Sequence, residues 1–251
     1  MVSDTAMRYL ERIGLSETPP LDVFGLEVLQ RAHMTAVPFE NLDVFARRGV
    51  ETGLDWSIPK IVDRHRGGWC FELNGAFSAI LEDLGFRVRR LGATVLLPNS
   101  ANDPSHLVLE VDLGDVYLVD VGFGDSFIRP LLLDHDEVQD GGSDRFVIER
   151  DGDEHTLYRV GEDDTREDLY RFDPIEWDFA DFDDASHRLQ TAPGLPWTRA
   201  RFATRLLDGG PDRVTLLEDR IRFRRNGVWT QEAVSPDEWE SQLDQWFTME
   251  P

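Results

Sequence analysis

Residues 66–85 read RGGWCFELNGAFSAILEDLG, and they contain the only cysteine of the 251-residue chain. Two glycines and a tryptophan lead directly into Cys70, after which Leu73, Phe77, Ile80, Leu81 and Leu84 recur at spacings of three and four. That spacing predicts a helix beginning at the cysteine, and Gly85 is placed to end it. A cysteine on the first turn lies among unpaired backbone N–H groups at the positive end of the helix dipole, which favours the thiolate. A lone cysteine is more often a small buried hydrophobe, so position alone does not make Cys70 a nucleophile.

N-terminal to this block, SDTAMRYLERIGL (residues 3–15) carries a Ser-Asp capping signal and apolar positions at Met7, Leu10, Ile13 and Leu15. LDVFGLEVLQRAHMTAV (21–37) repeats the pattern through Leu26, Leu29, His33 and Val37, and Pro38 ends it. Residues 1–85 are therefore expected to form a helical bundle. From residue 86 the period becomes strand-like: FRVRRLGATVLL, SHLVLEVDL, DVYLVDVGFG, DRFVIER and HTLYRVG are short, rich in Val, Leu, Phe and Tyr, and separated by turn residues. An antiparallel sheet or small barrel is expected over 86–185, with a hairpin turn at Asp151-Gly152. Residues 186–251 read as mixed. RVTLLEDRIRFRRNGVWTQEAV looks like strand, hairpin and strand, and SPDEWESQLDQWF like a final helix capped by Ser235.

Composition narrows the function. With 41% hydrophobic residues, 15 of them phenylalanine, a core can drive folding without disulfides or metal. A single cysteine, no basic-then-apolar leader and no apolar run near the roughly 20 residues of a membrane span suggest a soluble, cytoplasmic protein. The formal charge of −23, with Lys60 the one lysine, argues against nucleic-acid or acidic-membrane partners. Such a surface also suits molar salt, where the Debye length falls to about 3 Å, so a halophilic origin is an expectation. A high-GC genome favouring arginine explains the scarcity of lysine but not the excess of aspartate. No ligand spacing points to a metal.

A nucleophilic cysteine needs a histidine to take its proton and an acceptor to fix the imidazole tautomer. Of six histidines, His106 is the best placed, at the start of a strand after NDPS. Asp120, in YLVDVGFG, is a carboxylate in an apolar run and so needs a partner. A two-residue turn between their strands would leave the two side chains on opposite faces. A shared face requires an odd-length connection or a β-bulge.

RGGWCFELN, SHLVLEV and VDVGFG in that order, with VPFENLDV upstream, resemble the arylamine N-acetyltransferase family. The similarity extends from YLERIG to TAPGLPWTRARFATR. The resemblance implies an α+β fold with an N-terminal helical bundle, a central antiparallel β-barrel and a C-terminal α/β lid. It also implies a cysteine-protease-like Cys70–His106–Asp120 triad. Acetyl-CoA would be the acyl donor, and a small aromatic amine, hydrazine or arylhydroxylamine the acceptor, through an acetyl-cysteine. Phe123, flanked by Gly122 and Gly124, would form an apolar wall for the acceptor with Trp69 nearby. Glu40 and Arg66 would be a buried pair bracing the cysteine loop.

No Gly-rich phosphate loop occurs. Residues 197–230 nevertheless hold eight arginines against four acidic residues, so part of this segment, Arg222 and Arg224 in particular, is expected to receive the CoA phosphates. Pairing of those arginines with the acidic loops of the barrel is an equal alternative. Competing readings are a related amide synthase drawing on a carrier protein, a papain-like or transglutaminase-like enzyme, and a non-catalytic binding module.

Overall fold

The structure, a computed structural model, describes residues 2–96, 103–192 and 194–249. Leu97 and Asn102, which the strand and NDPS readings include, and Pro193 lie outside the described residues.

The helical part contains α1 (Asp4–Arg12), α2 (Val23–Ala36), the short strand β1 (Phe39–Glu40), α3 (Leu42–Phe45), α4 (Leu54–Val62) and α5 (Cys70–Leu84). Ser3 and Asp22 accept backbone N–H bonds from Ala6 and Gly25, satisfying donors that each helix start leaves open. Gly85 ends α5 at φ +101°, a conformation that L side chains rarely adopt. The apolar stripes bury Leu10, Ile13, Leu26, Leu29, Leu73, Phe77 and Leu81 against one another. Met7, expected on the stripe, is instead 43% exposed. It lies one turn before Leu10 in a helix whose buried positions are Ala6, Tyr9 and Leu10, so the stripe runs one residue to its side.

The sheet part follows as β2 (Arg87–Val95), β3 (His106–Asp112), β4 (Val116–Val119), β5 (Leu131–Leu132), β6 (Gln139–Asp140), β7 (Arg145–Asp151), β8 (Glu154–Val160) and β9 (Arg166–Glu176). They form one antiparallel sheet in the order β5-β4-β3-β2-β9-β8-β7-β6. Its two edges meet where the Gln139 side chain accepts from the Leu132 N–H at 2.8 Å and donates to the Leu132 carbonyl at 2.9 Å. A side-chain amide thus stands in for a strand and nearly closes a barrel. Leu91, Val108, Phe127, Phe146, Leu157 and Tyr170 fill the interior. The β7–β8 turn centres on Gly152 and Asp153, one residue later than expected.

β4 stops at Val119, short of the strand the apolar run suggests. The Asp120 carboxylate accepts from the Gly122 N–H at 2.8 Å, two residues on, and this local turn replaces the ladder. Between β3 and β4, Leu109 faces Val119 and Asp112 faces Val116, so the connection is the three residues Leu113, Gly114 and Asp115. Its odd length puts His106 and Asp120 on one face.

After β9 a 3₁₀ turn (Phe179–Phe182) and α6 (Asp183–Thr191) return to the helical part, where Phe182 and Ala185 join its core. The chain continues through α7 (Pro196–Arg199), β10 (Ala203–Leu206), β11 (Arg213–Leu216), β12 (Arg220–Arg225), β13 (Val228–Ala233) and α8 (Trp239–Phe247). The second sheet has the order β1-β10-β11-β12-β13, so its edge strand comes from the N-terminal part. Trp239, Leu243 and Phe247 of α8 cover it, packing with Leu216 of β11 and Ile221 of β12. Ser235 bonds Glu238 through both its N–H and its hydroxyl, forming a turn ahead of the helix, which starts at Trp239.

Candidate active site

Cys70 is the first residue of α5 and is 7% exposed. Its side chain lies beside His106, the first residue of β3, close enough to help raise the imidazole pKa. The His106 Nε2 lies 2.7 Å from Asp120 Oδ2, which leaves Nδ1 as the ring nitrogen for the sulfur. All three side chains are buried.

Asn74, one turn along α5 from Cys70, joins the pieces. Its amide donates to the Leu107 carbonyl at 2.6 Å and to Asp120 Oδ1 at 2.8 Å, and its oxygen accepts from the Val121 N–H at 2.9 Å. One side chain therefore fixes α5, β3 and the loop after β4 relative to one another. Its spacing of four from Cys70 was the sequence signal available for it.

Burial opposes the charge on His106, but the Asp120 carboxylate, by charge and hydrogen bond, and then the neighbouring sulfur outweigh it and raise the imidazole to about 10. At neutral pH the site is thus arranged to hold an imidazolium beside the sulfur. Tyr170 completes the surroundings: its ring lies 5.4 Å from His106 and 5.3 Å from Phe123. Its hydroxyl, facing the Asp120 charge without a well-formed hydrogen bond, is held well above its ordinary pKa by burial and then by that charge.

Phe123 is half-buried and edge-on to His106 at 5.3 Å, and Gly124 packs beside Phe39 and Thr204. Trp69 is only 3% exposed and sits in the helical core, edge-on to Phe71, with its indole N–H unpartnered. Gly122 has a stricter task. A Cβ there would lie 2.7 Å from the Cys70 Cα and 2.8 Å from Asn74 Nδ2. Neither the α5 backbone nor the bonded Asn74 can yield, so Gly122→Ala is expected to cost about 1–3 kcal/mol of stability. By moving the Asp120 loop off α5 it should also slow turnover by about 100-fold. Thermal unfolding beside single-turnover rates checks both, and a variant equal to the parent in each would refute the packing argument.

Beneath the cysteine lies a buried charge network. Arg66 bonds Glu40 at 2.9 Å, and Lys60, 1% exposed, lies 2.8 Å from Asp43 and 2.7 Å from Glu72. Glu72 also accepts from the Trp56 indole and from the Trp69 N–H, so the network reaches the residue before Cys70. Burial raises the Glu72 pKa against the lowering effect of Lys60. The sequence reading found Glu40 and Arg66 but not Lys60, Asp43 or Glu72. A lone lysine inside the apolar run SIPKIV was the signal.

Glu40→Ala would leave the Arg66 guanidinium short of a partner and the Leu42 N–H without its 2.6 Å acceptor. A loss of about 3–5 kcal/mol is expected, more than any effect on chemistry in the fraction that stays folded. Chemical denaturation measures it; a fully folded but inactive variant would contradict the structural role.

Of the two arginines expected to meet phosphate, Arg224 is committed to a carboxylate, while Arg222 has a ring against its face and no carboxylate partner. Arg224 makes a fork to Asp144, with N···O distances of 2.7 and 2.6 Å, the pairing with the barrel's acidic loops that stood as the alternative. Arg222 stacks over Trp229 at 4.4 Å. Among the described residues no cluster of three or more His, Cys, Asp or Glu could hold a metal ion, and no helix is long and apolar enough to cross a membrane.

A family model described as N-acetyltransferase matches residues 22–250. The chain belongs to the arylamine N-acetyltransferase family. It is 30% identical over 239 residues to the arylamine N-acetyltransferase of Escherichia coli K12, an alignment covering 91% of this chain and 82% of that protein. With the Mycolicibacterium smegmatis arylamine N-acetyltransferase the identity is 39% over 158 residues, 59% of this chain and 58% of the relative's length. The solved arylamine N-acetyltransferase of Salmonella typhimurium superposes with a TM-score of 0.93 at 27% identity, over 99% of this chain and 92% of that one. The Mycobacterium marinum enzyme in complex with CoA gives 0.88 at 30% identity, over 97% and 92%. The family thus has the helical, barrel and sheet-plus-helix parts seen here.

Proposed function

We propose that this member of the arylamine N-acetyltransferase family transfers an acetyl group from acetyl-CoA to an arylamine, arylhydrazine or arylhydroxylamine, with Cys70 as the covalent carrier. The supporting observation is the burial of Cys70, on the first turn of α5, beside His106, whose Nε2 is held 2.7 Å from Asp120.

In this reading the Cys70 thiolate, beside the His106 imidazolium and at the dipole-positive end of α5, attacks the thioester carbonyl. The C–S bond to CoA breaks, and the departing thiolate takes the proton from His106. Acetyl-Cys70 and neutral His106 remain. The acceptor nitrogen, or the oxygen of a hydroxylamine, then attacks the acetyl-cysteine carbonyl and loses its proton to His106 as the Cys70–carbonyl bond breaks. Asp120 keeps Nδ1 turned to the sulfur and stabilises the imidazolium without being protonated. Phe123 and Tyr170 give the acceptor's ring an apolar, aromatic surface next to the imidazole.

The test is intact mass after mixing the protein with acetyl-CoA and no amine. One added acetyl group, discharged when an arylamine is supplied, is expected. A folded protein that stays unmodified would overturn the proposal.

A further inference from the structure

Phe123, edge-on to the His106 ring, stands on the loop that follows β4. The start of this loop is fixed by the turn of Asp120 onto Gly122, and its end by Phe127 and Ile128, buried in the barrel and helical cores. What holds the residues between them is mostly charged. Gly124, at φ +89°, packs against the Phe39 ring of β1 and Thr204 of β10. Asp125 lies between two arginines. The Nε of Arg213, on β11, is 3.4 Å from its Oδ1. The Nη2 of Arg159, on β8, is 3.8 Å from its Oδ2 and donates to its carbonyl. The Ser126 carbonyl accepts from the Ser143 hydroxyl at 3.0 Å, and Arg224, paired with Arg213 across β11 and β12, bonds Ser143 and Asp144 in turn.

Arg213 is the member of this group that folding alone explains least. It is 2% exposed, bonds the Thr204 hydroxyl at 3.2 Å, and has no hydrogen-bond partner for its Nη2. Burial pulls its guanidinium down to about 10, and the Asp125 charge is the largest effect opposing that. A buried ion pair is often no more stabilising than apolar side chains of similar volume. Its place in the fold supplies a reason for it: Arg213 ties the second sheet to the residue two positions after Phe123. A shift of about 1 Å in a positioned group can cost about 100-fold in rate, so a contact that sets this loop bears on what packs against Phe123.

We infer that Arg213 is a positioning residue that, through Asp125, sets where Phe123 stands and thereby favours acceptors with an extended aromatic ring system. This rests on the reading of Phe123 as the acceptor's surface given above. Arg213 acts through the loop and not on the reacting atoms.

The experiment compares native protein with Arg213→Met, Asp125→Asn and the double variant. Two acceptors are used at saturating acetyl-CoA: 2-aminofluorene, a wide arylamine, and hydrazine, which has no ring. Arg213→Met should raise KM for 2-aminofluorene about tenfold, the scale of one coupled contact. KM for hydrazine and the rate at which acetyl-CoA acetylates Cys70 should stay within about twofold of native. Asp125→Asn should show the same selective loss. The double variant should lose no more than Arg213→Met alone, because both changes remove one contact. Binding of 2-aminofluorene to unacetylated protein, read by its fluorescence, should weaken by the same factor as KM rises.

An unchanged KM for 2-aminofluorene in Arg213→Met would overturn the assignment. Equal losses with both acceptors, or additive losses in the double variant, would overturn it as well, since a general loosening of the fold acts in that way. If Arg213→Met does not fold, Asp125→Asn, with a side chain 40% exposed, decides by the same comparison of acceptors. If native protein takes up no acetyl group, yet the variants weaken 2-aminofluorene binding, the acyl-transfer reading falls and the positioning role stands.

Discussion

Cys70→Ala is expected to take up no acetyl group from acetyl-CoA and to lose arylamine acetylation by about 10⁵–10⁶-fold, the scale seen when a covalent nucleophile is removed. The loss should be in chemistry and not in fold. Cys70 is a small side chain on the first turn of α5, and its replacement removes one buried sulfur, costing about 1 kcal/mol. Tyr170, Phe123 and Asp120 still hold His106 in the variant. Intact mass, unfolding midpoint and turnover measured on one preparation separate these effects. A variant that keeps more than about 1% of the native rate would show that Cys70 is not the carrier.

Asp120→Asn should lower turnover by about 10³–10⁴-fold at neutral pH, although it changes only one atom's identity. Asp120 accepts from His106 through Oδ2 and from Asn74 and Gly122 through Oδ1. If the asparagine turns its NH₂ to His106, Nε2 must be the acceptor. The neutral imidazole then carries its proton on Nδ1, where it cannot take one from the thiol. If it turns its oxygen to His106, its NH₂ meets the Gly122 N–H and the Asn74 amide, donor against donor. Either way the carboxylate charge is gone, and burial then lowers the His106 pKa instead of being outweighed.

The same change has a pH signature in stability. His106 is raised to about 10 in the fold, from its ordinary 6.5. Its contribution is therefore fully present below pH 6.5 and is lost as pH rises through 10. The native midpoint should fall over that window, and the Asp120→Asn midpoint should fall less. Parallel curves would mean that Asp120 does not hold the proton on His106.

The helices were legible because their signals are local. Ser3 and Asp22 cap, and stripes of three and four bury. The end of β4 was not legible, since apolar residues continue past Val119 and only the turn of the Asp120 carboxylate onto Gly122 stops the ladder. β1 was hidden for a different reason. Two residues, Phe39 and Glu40, carry no periodicity, and their pairing with Thr204 and Ala203 joins segments far apart in the chain. Lys60 stood out by its rarity, yet its burial depends on Asp43 and Glu72 arriving from separate elements.

By itself the sequence determined the family and the three triad candidates, because the family motifs are contiguous and each candidate residue lies inside one of them. It also set the condition that the connection before Asp120 must have odd length or a bulge. The tertiary structure decided how that condition is met, through the three residues 113–115, and that Asn74 clamps α5, β3 and the Asp120 loop together. It also decided which arginines are held by carboxylates. Charge can be counted along a chain, but a guanidinium's availability depends on what folds against it: Arg224 meets Asp144, whereas Arg47 and Arg199 face a shared cleft without a carboxylate in its lining.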